Sequence, residues 1–355
     1  MANRRGVIAG LLAAGLLPGA SWAEAGSPAY LSAARDKAGR FVLVGLGADL
    51  SERFRLPLPS RGHAAAAHPT APHAVAFARR PGVYALVLDC RTGAVLHQLE
   101  AREGRHFYGH GTFSPDGGLL FTTENDYDAA RGVIGVWDVT AGYRRVGEFA
   151  SGGVGPHDMR LLPGGALVVA NGGIETHPDS GRTKLNLATM RSNLTYLTME
   201  GEVLEQIETP EDQQRNSIRH LAVGATGQVA FAMQWQGEQT ATPPLLGLHR
   251  RGEALRLISA EPAQQRQMQG YAGSIAFGAN GRVAITSPRG GVMQVFDTVS
   301  GMLIDVMSEA DICGVAPNVQ KGDLVFTTGA GVCGDSGGYR QLHQGLQFDN
   351  HLIAV

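Results

Sequence analysis

His110-Gly-Thr-Phe-Ser-Pro-Asp-Gly117, then the apolar run Leu119 to Thr123, then Gly132 to Val139 and Arg144 to Phe149, form one unit of a repeat. The next unit has the same grammar. His157 to Leu162 leads through Pro163-Gly-Gly165 to Ala166–Ala170, then to Asn193–Met199 and Glu202–Ile207. Each unit offers four short strands of alternating or continuous apolar character, separated by Gly, Pro and Asp turns. Asp138-Val-Thr-Ala-Gly142 and Asp297-Thr-Val-Ser-Gly301 fall at the same place, the turn between the third and fourth strands. Further units start at His63, His220, Ser274 and Gly314, which makes six from His63 onward.

The two ends of the chain complete a seventh. Before His63 lie only three strands, Tyr30 to Ala34, Phe41 to Gly45 and Phe54 to Leu58. Asn350 to Val355 resembles a first strand with nothing after it. Joining them closes a ring and removes the open strand edges that a linear array would expose. The expected fold is therefore all-β, a seven-bladed β-propeller of the YVTN/WD-like kind, spanning residues 28–355 as one domain. A β-sandwich or a six-bladed count is the alternative.

In such a ring the first strand of each blade lines the central channel. His63, His110, His157, His220 and His351 each start a first strand, in five successive blades. The chain has 12 His in 355 residues, so seven equivalent positions would hold fewer than one by chance. The loops joining second to third strands emerge on the same face, and three of them read as long and polar: Glu124 to Gly132, Asn171 to Ser192 and Gln234 to Pro243. The register predicts a histidine site at the channel mouth with Glu124, Asn125, Asn171, Gln234 and Arg289 on its rim.

Bulk properties narrow the chemistry. Charged residues make up 17% and the formal net charge is −2, so there is no basic field for nucleic acid and no polybasic segment for a membrane surface. Residues 1–23 read as an export signal. Arg4-Arg5 precede the apolar run Val7 to Leu17, and Ser21-Trp22-Ala23 ends in a small-residue cleavage pattern. The arginine pair points to the twin-arginine route, with an ordinary secretory signal as the alternative. A periplasmic, monomeric mature chain without a membrane span is expected. Cys313 and Cys333 fall in one unit and can pair, whereas Cys90 reads as an inert buried thiol.

Several segments together are similar to a known family. Arg105-His-Phe-Tyr-Gly-His-Gly111, Thr123-Glu-Asn-Asp-Tyr127, Gly155-Pro-His-Asp158, Asn171-Gly-Gly-Ile-Glu-Thr-His-Pro178, Ser217-Ile-Arg-His-Leu221, Ser287-Pro-Arg-Gly-Gly291, Cys313-Gly-Val-Ala-Pro317 and Asp349-Asn-His-Leu352 resemble the bacterial domain of unknown function 1513. The resemblance implies an exported propeller, often encoded beside imelysin-type and other iron-uptake proteins, which would be its partners. It supplies no activity and no ligand assignment. The segment Gly331 to Gln344 departs from a regular third strand.

Imidazole suits Fe, Cu, Zn and Ni, so a ring of histidines without thiolates points to a transition metal. Asp158, Glu124 and Asn350 are candidate acceptors that orient the rings. Two other readings stand beside this one. Gly62-His63 and Gly109-His110, with Trp137-Asp138, also fit the Gly-His pairs of WD-type repeats, where the histidine serves an internal hydrogen-bond network and the propeller is a scaffold for a partner protein. Glu124, Asn125 and Asn171 also fit the carboxylate-and-amide sites of lactonase-type propeller enzymes. His106 and His177 are expected on the site face, and His68, His73, His97 and His249 at solvated turns.

Overall fold

A computed structural model describes residues 21–80, 82–181 and 183–355. The first twenty positions of the expected export signal lie outside the described residues. Trp22, beside the expected cleavage point, donates from its indole nitrogen to the His68 carbonyl at 3.0 Å.

The strands form seven antiparallel sheets. Blade 1 comprises Gly62–Ala67, His73–Ala78, Tyr84–Asp89 and Val95–Glu100. Blade 2 comprises Arg105–Phe113, Leu119–Asp126, Arg131–Asp138 and Arg144–Ala150. Blades 3 to 6 begin with Pro156–Leu161, Asn216–Val223, Ser274–Phe277 and Ile312–Pro317. Each of these first strands packs against the next around the axis, and the C-terminal strand returns to the strand Gly62–Ala67. The arrangement is a seven-bladed β-propeller. Among the described residues no helix is long and apolar enough to cross a membrane.

Blade 7 is built from both termini. Tyr30–Arg35, Phe41–Leu46 and Glu52–Leu58 are joined by the end of the chain, which pairs antiparallel to Tyr30–Arg35. The closing strand differs from the expected one in starting earlier and in being interrupted. Gln347–Phe348 and Ile353–Ala354 pair regularly, whereas Asp349 to Leu352 bow out between them. The bow is anchored by Asp349 N–H donating to Ala33 O at 2.8 Å and Ser32 Oγ donating to His351 O at 2.7 Å. The segment that looked irregular, Gly331 to Gln344, does supply two short strands, Val332–Asp335 and Arg340–Leu342.

The burial pattern explains why the inner strands read as continuous apolar runs. Both faces of each blade are covered by neighbours, so Leu167–Asn171 is buried at every position, while the outermost strand of blade 1, Val95–Glu100, buries only Leu99. The apolar core divides into seven clusters, one between each adjacent pair of blades. The repeated Asp of the outer turn has a local cause. Asp138 Oδ1 accepts from Thr140 Oγ1 and Ala141 N, and Asp297 Oδ1 accepts from Ser300 N and Oγ, which folds the chain into the last strand.

The three cysteines are free and buried, so the pairing of Cys313 with Cys333 does not form. Cys313 Sγ instead faces the Thr327 carbonyl at 3.3 Å, inside the cluster between blades 6 and 7. Burial pushes the Cys90 and Cys313 thiols up to about 12, which keeps them protonated.

Candidate functional site

A break in strand register occurs where the histidines sit. Along the first strands, regular pairing lapses between Gly62 and Ala65, Phe107 and Gly111, Pro156 and Asp158, and Ile218 and His220. The bow at Asp349 to Leu352 is the equivalent feature of blade 7. A bulge re-aims the side chains it carries, and here it turns imidazoles toward the axis instead of into the inter-blade cores. Of the two first strands without a histidine, Ser274–Phe277 of blade 5 pairs without a lapse, whereas Ile312–Pro317 of blade 6 lapses between Ile312 and Val315, so the bulge belongs to the inner strands more widely than to the histidines.

The five rings meet in one cluster. Centroid separations run from 4.4 Å for His63–His351 to 5.9 Å for His110–His220, with His63–His110 at 5.0 Å, His110–His351 at 4.6 Å, and His157–His220 and His220–His351 at 4.7 Å. Gly109 makes the approach possible. Its φ is +98°, and a Cβ there would lie 2.5 Å from His63 Cδ2. The glycine before His110 thus has a packing reason within the cluster.

Two groups of three bring ligand-type nitrogens within 4.8 Å of one another: His63, His110 and His157, and His110, His220 and His351. His110 belongs to both. His63 Nε2 and His351 Nε2 share a hydrogen bond at 3.3 Å, which links the two groups. His110 is oriented by Asp158, whose Oδ1 lies 3.0 Å from Nδ1. That contact turns Nε2 inward, and Nε2 has no hydrogen-bond partner among the described residues. The same is true of Nδ1 in His63, His157 and His220.

Electrostatics keep four of the rings neutral. Burial, reinforced by mutual repulsion among the rings, holds His63, His157 and His351 well below the usual imidazole range and takes His220 down to about 3. Asp158 is also a joint between blades, accepting from Met159 N at 2.8 Å and from Leu221 N at 2.9 Å. Burial works to raise its pKa, but Arg160 and His110 outweigh that and hold the carboxyl well below its usual value.

Above the cluster opens a cavity of about 310 Å³, lined by His63, His157 and His220 below and by Gln234 and Arg289 among others above. Of the residues expected on the rim, Gln234 and Arg289 are there. Glu124, Asn125 and Asn171 are not, because they end up inside blades 2 and 3. The expected loop from Glu124 shrinks to residues 127–130, since Arg131 pairs with Asp126 and Gly132 with Asn125. Glu124 is fully buried and held by Arg145 through a 2.6 Å ion pair. Asn125 donates to His106 Nε2 at 3.1 Å and to Thr176 O at 3.2 Å. Asn171 sits in an amide cluster with Ser151, Asn193 and Thr195. The carboxylate-and-amide grouping of a lactonase-type site is therefore not assembled.

Asn350 lines the cavity and donates to Tyr271 Oη at 3.0 Å. Two of the three expected loops do reach the cavity, through Lys184 and Gln236. His106 is buried beneath the face, its pKa pushed to about 4 by burial, and His177 bonds Asp128 at 3.3 Å. His68 and His249 are buried rather than solvated, with His249 Nδ1 2.7 Å from Tyr196 Oη.

Sequence reasoning missed Arg79, Arg80, Tyr108, Lys184, Arg219, Trp235 and Tyr271, which complete the lining. A signal for some existed. Arg79-Arg80 follow the second strand of blade 1 as Arg289 follows that of blade 5, and Tyr108 and Arg219 lie in the bulged segments.

The sequence profile of the family described as protein of unknown function (DUF1513) matches residues 56–355. No curated protein matches the chain. Among solved structures, hydrazine synthase of Kuenenia stuttgartiensis is similar, with a TM-score of 0.62 and 11% identity over 92% of this chain and 96% of that one. At that identity the likeness concerns the fold.

Proposed function

The chain belongs to the family described as protein of unknown function (DUF1513), and for it we propose a transition-metal-binding propeller, an accessory to iron or copper handling, with the ion held on the axis by the histidine cluster. The supporting observation is that four of the clustered rings each keep a buried nitrogen without a partner, His63 Nδ1, His110 Nε2, His157 Nδ1 and His220 Nδ1. Leaving buried polar groups unpaired costs about 1–3 kcal/mol each, and an ion would satisfy several at once. The rings of His63, His157, His220 and His351, kept neutral by burial, hold a lone pair at pH 7, so a metal need not displace an acidic proton from them. Asp158 on His110 Nδ1 supplies the carboxylate–histidine arrangement that orients and strengthens a ligand.

Iron, copper and zinc all fit an imidazole set. The accessory role rests on the iron-uptake context that the family resemblance implies. The reading keeps export as the expected route, which places the protein where such ions arrive. Its test is equilibrium dialysis of metal-stripped protein against Cu²⁺ or Zn²⁺, beside the double variant His110→Ala/His157→Ala. The parent should retain one ion per chain, and the variant should retain none while keeping its strand circular dichroism. A parent that retains no metal, with a variant that unfolds, would make the histidines structural pins of a scaffold propeller.

A further inference from the structure

The cavity above the histidines has a chemistry that a metal site does not require. Five cationic side chains face it: Arg79, Arg80, Lys184, Arg219 and Arg289. Among its described lining residues there is no Asp or Glu. Arg79 leans on Asp349, outside the lining, at 3.7 Å. Arg80 donates to Thr176 Oγ1 at 3.2 Å, Lys184 to Gln236 Oε1, and Arg289 lies over the Tyr271 ring at 4.3 Å. None of those last three contacts supplies a negative charge.

Arg219 is the extreme case. It is 9% exposed, forms no ion pair among the described residues, and its Nε has no hydrogen-bond partner. Burial and the neighbouring Arg80 lower its pKa to about 10, so it stays charged at neutral pH. Tyr108 Oη, in the wall beside it, is also buried without a partner. A buried guanidinium without a counter-charge is strongly unfavourable, and four more cations around the same space make it worse. The arrangement calls for an anion. A concave, low-dielectric site lined by one sign of charge also concentrates the opposite sign from solution.

We infer that this vestibule binds a small, multiply charged organic oxyanion, a polycarboxylate in the first instance. Guanidinium forks match carboxylate oxygens two at a time. Arg219 and Arg80 take the deep end, Arg289 and Lys184 the rim, and Tyr108 Oη donates a neutral hydrogen bond. Trp235 and Tyr271 offer aromatic faces to a carbon skeleton, which inorganic phosphate lacks. The site goes beyond the metal reading and does not depend on it. With both occupied, the anion would sit directly over the histidines, where it can deliver an ion as its chelate.

The test is titration calorimetry of citrate, and separately inorganic phosphate, into protein freed of metal by chelating resin at pH 7. Citrate should bind and weaken as salt is raised. Arg219→Gln should lower its affinity at least about tenfold, and Arg289→Gln, at an exposed position, should lower it severalfold without threatening the fold. Absence of citrate binding at millimolar concentration, or unchanged binding in both variants, overturns the inference. Phosphate binding as tightly as citrate overturns its organic part. Citrate binding in a parent that retains no metal upholds this site and ends the metal reading, and metal retention without citrate binding does the reverse.

Discussion

Removing Asn350 to Val355 should open the ring and strongly destabilise the fold. The truncation deletes Leu352, buried between blades 6 and 7 at 5% exposure, and the pairings Tyr30↔Ala354 and Leu31↔Ile353. It also removes the Ser32–His351 hydrogen bond of 2.7 Å and the bond from Val355 N to Ala29 O of 3.0 Å. Burying one leucine side chain is worth about 2 kcal/mol, and each hydrogen bond about 1 kcal/mol net. With the two pairings counted, the loss is roughly 6 kcal/mol, against a total stability of about 5–15 kcal/mol for a folded domain. Removing Val355 alone sacrifices only its bond to Ala29 and should cost about 1 kcal/mol. Urea denaturation of the two truncations beside the parent reads both numbers. If the six-residue deletion has the parent's midpoint, the terminal strand does not close the ring and the reasoning fails.

Three further outcomes follow from the site. Gly109→Ala places a side chain at φ +98° and 2.5 Å from His63 Cδ2; it should cost about 2–3 kcal/mol and weaken metal retention, and normal retention would show that His63 need not hold its position. Glu124→Gln removes one of the two carboxylates that hold Arg145, leaving Glu148 at 3.0 Å, and should destabilise by about 1–2 kcal/mol with metal affinity unchanged; a loss of affinity at parent stability would put Glu124 back in the site. In metal-stripped protein the folded pKa values of His63, His157, His220 and His351 lie below their unfolded values, so the unfolded chain takes up more protons as pH falls below about 6.5 and stability is lost on the acid side. From pH 7 to 5.5 each costs about 1 kcal/mol, about 4–5 kcal/mol together, and equal urea midpoints at the two pH values would contradict this.

The blade count, the closure and the histidine register were legible because they rest on local signals, namely apolar runs of strand length, glycine and Asp turns, and one residue type recurring at one place. Side-chain direction was harder. Whether His63 faces the axis or a core depends on a bulge between Gly62 and Ala65, and pairing register is a property of two strands together. Glu124 and Asn171 look like loop residues because they are polar and adjoin turns. Their partners, Arg145 for one and Ser151, Asn193 and Thr195 for the other, become visible only once the sheets are assembled. The cationic vestibule escaped for the same reason. Arg79, Lys184, Arg219 and Arg289 are spread over four blades and the chain is nearly neutral, so nothing in composition marks their convergence.

The most direct test of the axial metal is an anomalous-difference map from crystals of protein purified, without added metal, from the organism that makes it. The account predicts one peak on the propeller axis, bonded at about 2.0–2.1 Å to nitrogens of at least three of His63, His110, His157, His220 and His351, with His110 among them. A map without a peak there, from crystals in which the five imidazoles are ordered and bridged by water, would contradict it.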